Sequence, residues 1–318
     1  MKLIIQIPCF NEAETLDFTL KELPRKIEGF DEVEFLVIDD GSSDATSDKA
    51  RLGGADHIVR LPANQGLARA FMIGLNACAK LGADVIVNTD GDNQYNGADV
   101  QKLVKPIIDG QADIVIGARP IDEIQSFSAA KKFLQKVGSA IVRYMSRTNI
   151  PDAPSGFRAM SREAALRLNV FNEYTYTLET IIQAGQKGLA VTSVPIRVNR
   201  EARPSRLIRS TFSYIRKSII TMVRIFVVYK SFRSFMAVGL SFFFAGVLVG
   251  ARFLYFYLSG EGGGHVQSLI LASILLGIGF QTILVAFIAD LLAVNRRMLE
   301  DVQYRIKVME CDLIKRTR

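Results

Sequence analysis

The chain predicts an α/β fold with a mostly parallel sheet, followed by a membrane-inserted tail. Three observations carry this. From residue 1 to about residue 200, short apolar runs alternate with helix-period segments, the pattern of a parallel sheet covered by helices on both faces. Past residue 230 the composition changes to two long apolar stretches joined by a glycine-rich link. A basic collar precedes them: from Arg200 to Arg233 there are nine Lys or Arg and one acid, Glu201.

The elements follow in order. Leu3–Pro8 is too short for a signal peptide and reads as the first strand. Glu34–Ile38, His57–Leu61, Asp84–Asn88, Asp113–Ile116 and Ala190–Ile196 are the further strands, each a short run rich in apolar residues. Between them the spacing predicts helices near Glu12–Lys26, Gly66–Leu81, Ala98–Ile108, Ala129–Ser146 and Leu178–Lys187. No Gly-x-Gly-x-x-Gly or Walker A pattern appears, which argues against dehydrogenases and P-loop enzymes.

Phe235–Leu258 holds 24 residues with one charge, Arg252, and Val266–Ala289 holds 24 with none. At about 1.5 Å per residue each exceeds the roughly 30 Å hydrocarbon core of a bilayer. The seven-residue link Ser259–His265 can only turn, so the two form a transmembrane hairpin. Lys230 and Arg233 before it and Arg296 and Arg297 after it place both ends in the cytoplasm. Arg252 is expected to snorkel, and Gly246 with Gly250 to pack one span on the other. The expected organisation is a catalytic domain over 1–210, basic amphipathic helices in the membrane interface over 211–231, the hairpin over 232–294, and a cytoplasmic helix over 295–318. In that last segment Leu299, Val302, Ile306, Met309 and Leu313 recur at coiled-coil spacing, which predicts a homo-oligomer.

A net charge of +7 with the excess before the spans fits anionic lipid headgroups better than nucleic acid. Cys9, Cys78 and Cys311 lie far apart and the only histidines are His57 and His265, so neither a zinc site nor a disulfide framework is expected.

The chemistry gathers at strand ends. Asp90-Gly-Asp92 follows the fourth strand directly, where open α/β sheets bind ligands, and Gly91 is expected to allow a sharp turn there. Two acidic oxygens in that place suit Mg²⁺ or Mn²⁺ bridging a substrate diphosphate. Pro8 to Glu12 follows the first strand and Asp39-Asp40-Gly41-Ser42-Ser43-Asp44 the second, so three acidic strand ends share one edge. Clustered carboxylates repel unless a cation sits among them. Ser43 is expected to cap the following helix.

Pro8–Glu12, the Asp39-Asp40-Gly-Ser turn, Asn64-Gln-Gly66, Asp90-Gly-Asp92-Asn-Gln94 and Ser155-Gly-Phe-Arg158 together resemble family 2 glycosyltransferases of the GT-A fold. Arg203-Pro-Ser205-Arg206-Leu207 before a two-span tail is similar to the polyprenyl-phosphate subgroup, which includes bactoprenol glucosyltransferases and dolichyl-phosphate mannose synthases. The resemblance implies inverting, metal-dependent transfer of a sugar from a nucleotide sugar to a polyprenyl phosphate such as undecaprenyl phosphate, at the cytoplasmic face of the cell membrane. UDP-glucose is the favoured donor and GDP-mannose the alternative. Carried over by position, Asp90 and Asp92 hold the metal, with Asp92 catalytic and Asp90 and Gln94 meeting the donor. Pro8, Glu12, Asp39 and Asp40 line the nucleoside pocket. Arg119, Arg200, Arg203, Ser205 and Arg206 meet the acceptor phosphate.

Asp152 aligns with the segment that holds the general base in many relatives. A phosphate acceptor needs no base, because its second pKa is about 6 and it is largely dianionic at neutral pH. Asp152 is therefore expected to orient the acceptor or an arginine. Three rivals are weaker. A processive polysaccharide synthase carries a Gln-x-x-Arg-Trp motif and this chain has no tryptophan. A non-catalytic scaffold leaves the acidic strand ends unexplained, and a flippase needs more than two spans.

Overall fold

Seven strands form one sheet: β1 (Lys2–Cys9), β2 (Glu32–Asp39), β3 (His57–Arg60), β4 (Val85–Asn88), β5 (Ile114–Ala118), β6 (Arg158–Ser161) and β7 (Val191–Pro195). The computed structural model describes residues 1–120, 129–146, 148–170, 176–199, 231–260 and 262–317. Strand order is β3-β2-β1-β4-β6-β5-β7, and every pairing is parallel except those of β6, which runs against both β4 and β5. The mostly parallel sheet expected from the alternation is present. The seventh strand, β6, was not expected, because Arg158-Ala-Met-Ser161 has neither a β-branched run nor alternation. It is a strand because two neighbours pair with it.

β1 sits between β2 and β4. Its odd residues Leu3, Ile5 and Ile7 join a core with Leu16 and Leu20 of α1 (Leu16–Glu22) and Val100, Leu103 and Val104 of α4 (Val100–Ile108). Helix α3 (Leu67–Lys80) covers the opposite face, on β1 and β2. There Gln6 is buried, and Gly74 of α3 must be glycine because a Cβ would lie 2.3 Å from the Gln6 amide oxygen. Other helices among the described residues of this region are α2 (Thr46–Leu52), α5 (Ala129–Ser146), α6 (Arg162–Arg167) and α7 (Thr177–Gln186). Helix α1 is shorter than the expected Glu12–Lys26, since Glu12 to Thr15 forms a turn that serves the strand-end loops and Pro24 cannot continue the helix.

The described chain divides into two units, Met1–Ile219 with Asp301–Arg318, and Ile220–Glu300. In the second, helix Ser231–Leu258 and the start of helix Val266–Thr317 are long and apolar enough to cross a membrane. They pack through glycines: a Cβ on Gly246 would lie 2.9 Å from the Leu276 nitrogen, and one on Gly279 2.6 Å from the Phe243 nitrogen. Gly246 thus does what its spacing suggested, while Gly250 meets only Ala272 at ordinary contact distance. The tightest approach is that of Gly279 to the Phe243 backbone, with the Gly239 carbonyl beside it, a contact between two helices and so invisible to a small-xxx-small search within one.

The expected break between the second span and a separate helix over 295–318 is absent. One helix runs from Val266 to Thr317, because no glycine or proline interrupts Ala289–Thr317. Its last part belongs to the first unit. The interfacial helices expected over 211–231 lie outside the described residues, except Ser231.

Candidate active site

Because β2, β1 and β4 are parallel neighbours, Asp39-Asp40, the Pro8–Glu12 segment and Asp90-Gly91-Asp92 emerge on the same edge of the sheet. β5 runs parallel to them, which brings Arg119 to that edge, and the antiparallel β6 starts there at Arg158. The three acidic strand ends are together, as expected.

The carboxylate turn is anchored from outside. Thr15 Oγ1 donates to the Gly91 carbonyl at 2.8 Å and Thr19 Oγ1 at 3.2 Å, fixing it to α1. Gly91 is not needed for its backbone angle, as the sequence had suggested. It is needed for space, since a Cβ there would lie 2.7 Å from Cys9 Sγ. The left-handed position falls instead to Asn93, at φ 57°, and its counterpart in the β1 loop is Asn11, at φ 56°. Gly156 supports the other side of Asp90: a Cβ would sit 2.8 Å from Asp90 Oδ2 and 3.1 Å from the Tyr176 hydroxyl.

Burial first, and then the charge of Asp92, push the Asp90 carboxyl up to about 7, against the pull of Arg119 and Arg158. The cluster is therefore short of positive charge. Burial, then Glu12, Asp39, Asp90 and Asp92, also raise the Cys9 pKa, which keeps it a thiol in the metal-free site. Among the described residues no three His, Cys, Asp or Glu are grouped to hold a metal alone. The carboxylate pair therefore fits a hard divalent cation whose shell is completed by a diphosphate and water, the usual arrangement for Mg²⁺ or Mn²⁺.

Asp39 and Asp40 are buried and bonded to the scaffold. Asp39 accepts from the Ser42 nitrogen at 2.8 Å and from the Ser47 hydroxyl. Asp40 accepts from the Gln65 and Gly66 nitrogens, both at 2.8 Å, and so clamps the entrance of α3. Contrary to the expectation from sequence, Ser43 does not cap α2; the Thr46 nitrogen donates the cap-like bond to Asp44 Oδ1 at 3.0 Å, while the Ser43 nitrogen donates to Asn11 Oδ1 at 2.9 Å. Glu12 lies beside Gly91 and accepts from Thr15 Oγ1 at 2.9 Å. Pro8 is buried within β1, beyond the last residue that β4 pairs.

Asp152 and Arg119 form one unit. The Asp152 carboxylate is 1% exposed and accepts Arg119 Nε at 2.7 Å, Nη2 at 3.0 Å and the backbone nitrogen at 3.2 Å. Burial opposes the Arg119 charge, but Tyr95, Asp152 and Asp90 outweigh it and raise its pKa, so it stays a cation. The Asp152 carboxylate thus orients the Arg119 guanidinium through a bidentate, charge-assisted pair.

The structure adds residues that the sequence did not single out as site groups. Arg158 is fully buried, donating to Thr180 Oγ1 at 2.6 Å and the Thr177 carbonyl at 3.2 Å, and its charge acts on Asp90 from below. Tyr95 stacks on Phe157 at 5.1 Å and accepts from the Gly156 nitrogen at 3.1 Å. Asn88 donates to the Gly156 carbonyl and the Tyr176 hydroxyl, both at 2.9 Å. No local pattern marks these, since each acts through a partner 20 or more residues away in sequence, up to 88.

Asn199 is the last residue described before the arginine-rich segment. Its backbone nitrogen donates to the Gln94 carbonyl at 2.9 Å, and its amide donates to Glu22 Oε2 at 2.8 Å and the Asn93 carbonyl at 3.2 Å. The segment after β7 is thus stapled to the loop that follows Asp92. Asn199→Ala removes those side-chain bonds at a half-buried position, so donor affinity is expected to fall about tenfold with folding intact. Donor KM and an unfolding curve measured together check it. Arg200, Arg203, Ser205 and Arg206 lie outside the described residues.

A family model described as Glycosyl transferase family 2 matches residues 4–168. Undecaprenyl-phosphate mannosyltransferase from Micrococcus luteus is 28% identical over 218 residues, which cover 65% of this chain and 88% of that protein. Dolichol-phosphate mannosyltransferase from Pyrococcus furiosus is 27% identical over 271 residues, 81% of this chain and 73% of that one. Among solved structures, glucosyl-3-phosphoglycerate synthase from Mycobacterium tuberculosis with Mn²⁺, UDP and its product superposes with a TM-score of 0.52 at 21% identity, covering 71% of this chain and 78% of that one.

Proposed function

The chain belongs to glycosyl transferase family 2, and on that premise we propose that it transfers a hexose from a nucleotide sugar to a polyprenyl phosphate at the cytoplasmic surface of a membrane. The observation that carries this is the pairing of an acidic strand-end cluster with a guanidinium, Arg119, locked in place by Asp152. One half suits a metal-bound diphosphate and the other an anionic acceptor. Two helices able to span a bilayer follow, as a lipid-linked acceptor requires.

In this reading the acceptor phosphate oxygen bonds to the anomeric carbon while the bond from that carbon to the donor diphosphate breaks. The configuration inverts and the nucleoside diphosphate leaves. Bound Mg²⁺ or Mn²⁺ supplies Lewis-acid stabilisation of the charge developing on that diphosphate. Asp90 and Asp92 would hold the ion, with the Gln94 loop behind them. Glu12, Pro8 and the Asp39-Asp40 turn frame the nucleoside side. Arg119 is charged and pre-oriented, so it can meet the acceptor phosphate without rearranging, and Arg200, Arg203, Ser205 and Arg206 are assigned to the same headgroup. No group need remove a proton, because the acceptor is already anionic.

The donor sugar is the open choice. The resemblance to bactoprenol glucosyltransferases favours UDP-glucose, whereas the two polyprenol-linked relatives described above are named as mannosyltransferases, which favours GDP-mannose. Membranes containing the protein, given radiolabelled UDP-glucose or GDP-mannose with undecaprenyl or dolichyl phosphate, should form a lipid-linked sugar with one donor. EDTA should abolish the product and Mg²⁺ or Mn²⁺ restore it. Absence of lipid-linked product with every donor overturns the proposal.

A further inference from the structure

Beyond its apolar span, the last helix presents two different faces. One is docked within the first unit. Tyr304, Val308 and Cys311 pack on Ala79 of α3 and Leu166 of α6, and the Arg167 guanidinium lies 5.2 Å from the Tyr304 ring centre. Lys307 Nζ donates to Asn169 Oδ1 at 2.9 Å and to the Leu168 carbonyl at 3.3 Å. The other face carries Leu299, Val302, Ile306 and Met309, which are 69, 52, 47 and 58% exposed, and Leu313 continues the same 3-4-3-4 spacing.

These two faces have the registry of a coiled coil. With Leu299, Ile306 and Leu313 at the a positions and Val302 and Met309 at d, the docked residues Tyr304, Lys307, Val308 and Cys311 fall at f, b, c and f. That is the side turned away from an a/d seam. Among the described residues Leu299, Val302, Ile306 and Met309 stay exposed while the outer face is held.

We propose that a second copy of this chain covers the seam, forming a parallel coiled coil between the last helices of neighbouring protomers. Charge complementarity singles out a second copy. In a parallel in-register pair the g position of one helix faces the next e position of the other, so Arg305 meets Glu310 of the second copy, and the reverse pair forms by symmetry. At present Arg305 pairs with Asp301 at 3.0 Å and Glu310 with Lys80 at 3.1 Å, both on the surface, where exchange of partners costs little. Orientation follows from the two-span reading, on which this rests. Each copy's helix leaves the bilayer at Arg296-Arg297 in the same direction, so neighbouring seams are parallel and level.

Two heptads alone are marginal in water, but this helix does not have to form on association. It continues the second span and is already pinned by Lys307 and Tyr304, so pairing orders little new backbone. Confinement to a membrane raises the effective concentration further.

The test uses the full chain in its native membrane. The three native cysteines are buried, so Ile306→Cys introduces the one seam thiol that a short bismaleimide can reach. A cross-linked species of twice the chain mass is expected from Ile306→Cys and not from Asp301→Cys, at the outward c position. Arg305→Glu in the Ile306→Cys background should lower the yield at least fivefold, and adding Glu310→Arg should restore it. Equal yields at 301 and 306, or a single chain per nanodisc by mass measurement, overturn the proposal. Retention in the membrane after alkaline carbonate reports the span reading separately. A chain that stays in the membrane without cross-linking therefore removes the coiled coil and leaves the spans.

Discussion

Asp90→Asn is expected to reduce sugar transfer by about 10³-fold or more while leaving the metal-free protein at least as stable as before. The loss follows from the site. A carboxamide cannot supply the charge that holds a divalent cation against a diphosphate, and removing a group that stabilises developing transition-state charge commonly has effects of about 10²–10³-fold. The gain in stability follows from the raised Asp90 pKa. In the unfolded chain this carboxyl ionises near its ordinary value of 3.8, whereas in the folded protein it does so near 7. The folded state therefore carries a penalty that begins above the lower value, grows with pH and is complete above the higher one. Asparagine has no such penalty. The unfolding midpoint of Asp90→Asn should exceed that of the parent at pH 8 and match it near pH 3, in the presence of chelator. A lower midpoint at pH 8 would mean the carboxylate is a structural group. Asp92→Asn should show the same loss of transfer, read as turnover across a metal titration that does not recover it.

Arg119 carries the second large effect. Arg119→Ala leaves the Asp152 carboxylate buried without the cation that holds it, and breaking a buried pair in this way destabilises by about 3–5 kcal/mol. Transfer should fall by about 10³-fold in whatever fraction folds. Because loss of folding could account for that result, the pair of conservative variants is the sharper experiment. Arg119→Lys keeps the charge but not the fork, so acceptor KM should rise while donor KM stays near the parent value. Asp152→Asn keeps one acceptor oxygen for the guanidinium and should lose about 10- to 100-fold, with the shape of the pH–rate profile unchanged. If Asp152 were a proton acceptor, the loss would exceed about 10³-fold and the acidic limb of the profile would disappear. The three bonds from Arg119 to Asp152 point to the first result.

Stability and function pull against each other around this edge of the sheet. The carboxylates of Glu12, Asp39, Asp90 and Asp92 act together on Cys9, and Asn11 and Asn93, the two non-glycine residues with positive φ among the described residues, belong to the same loops. Such strain and like-charge crowding persist only where the surrounding structure enforces them. Here the enforcing contacts are visible: Thr15 and Thr19 on Gly91, Asn11 on Ser43, and Asn199 on the Asn93 carbonyl.

Much of this was legible without coordinates, for a physical reason. A parallel strand buried on both faces must be a short apolar run, and its ligand-binding end must follow it directly, so Val85–Asn88 and Asp90-Gly-Asp92 identify each other. The same local logic placed the strand-end acids, the two apolar helices and the α5 segment, which is helical throughout the described residues Ala129–Ser146. Features made by distant pairings were not legible. β6 exists only through β4 and β5, Gly91 is required by Cys9, and the tight helix crossing sets Gly279 on the Phe243 backbone. Asp152 lies between the two cases. The expectation that it orients an arginine or the acceptor came from the sequence and the nature of a phosphate acceptor. Only the tertiary structure could decide which arginine it holds, because that guanidinium belongs to a residue 33 positions away.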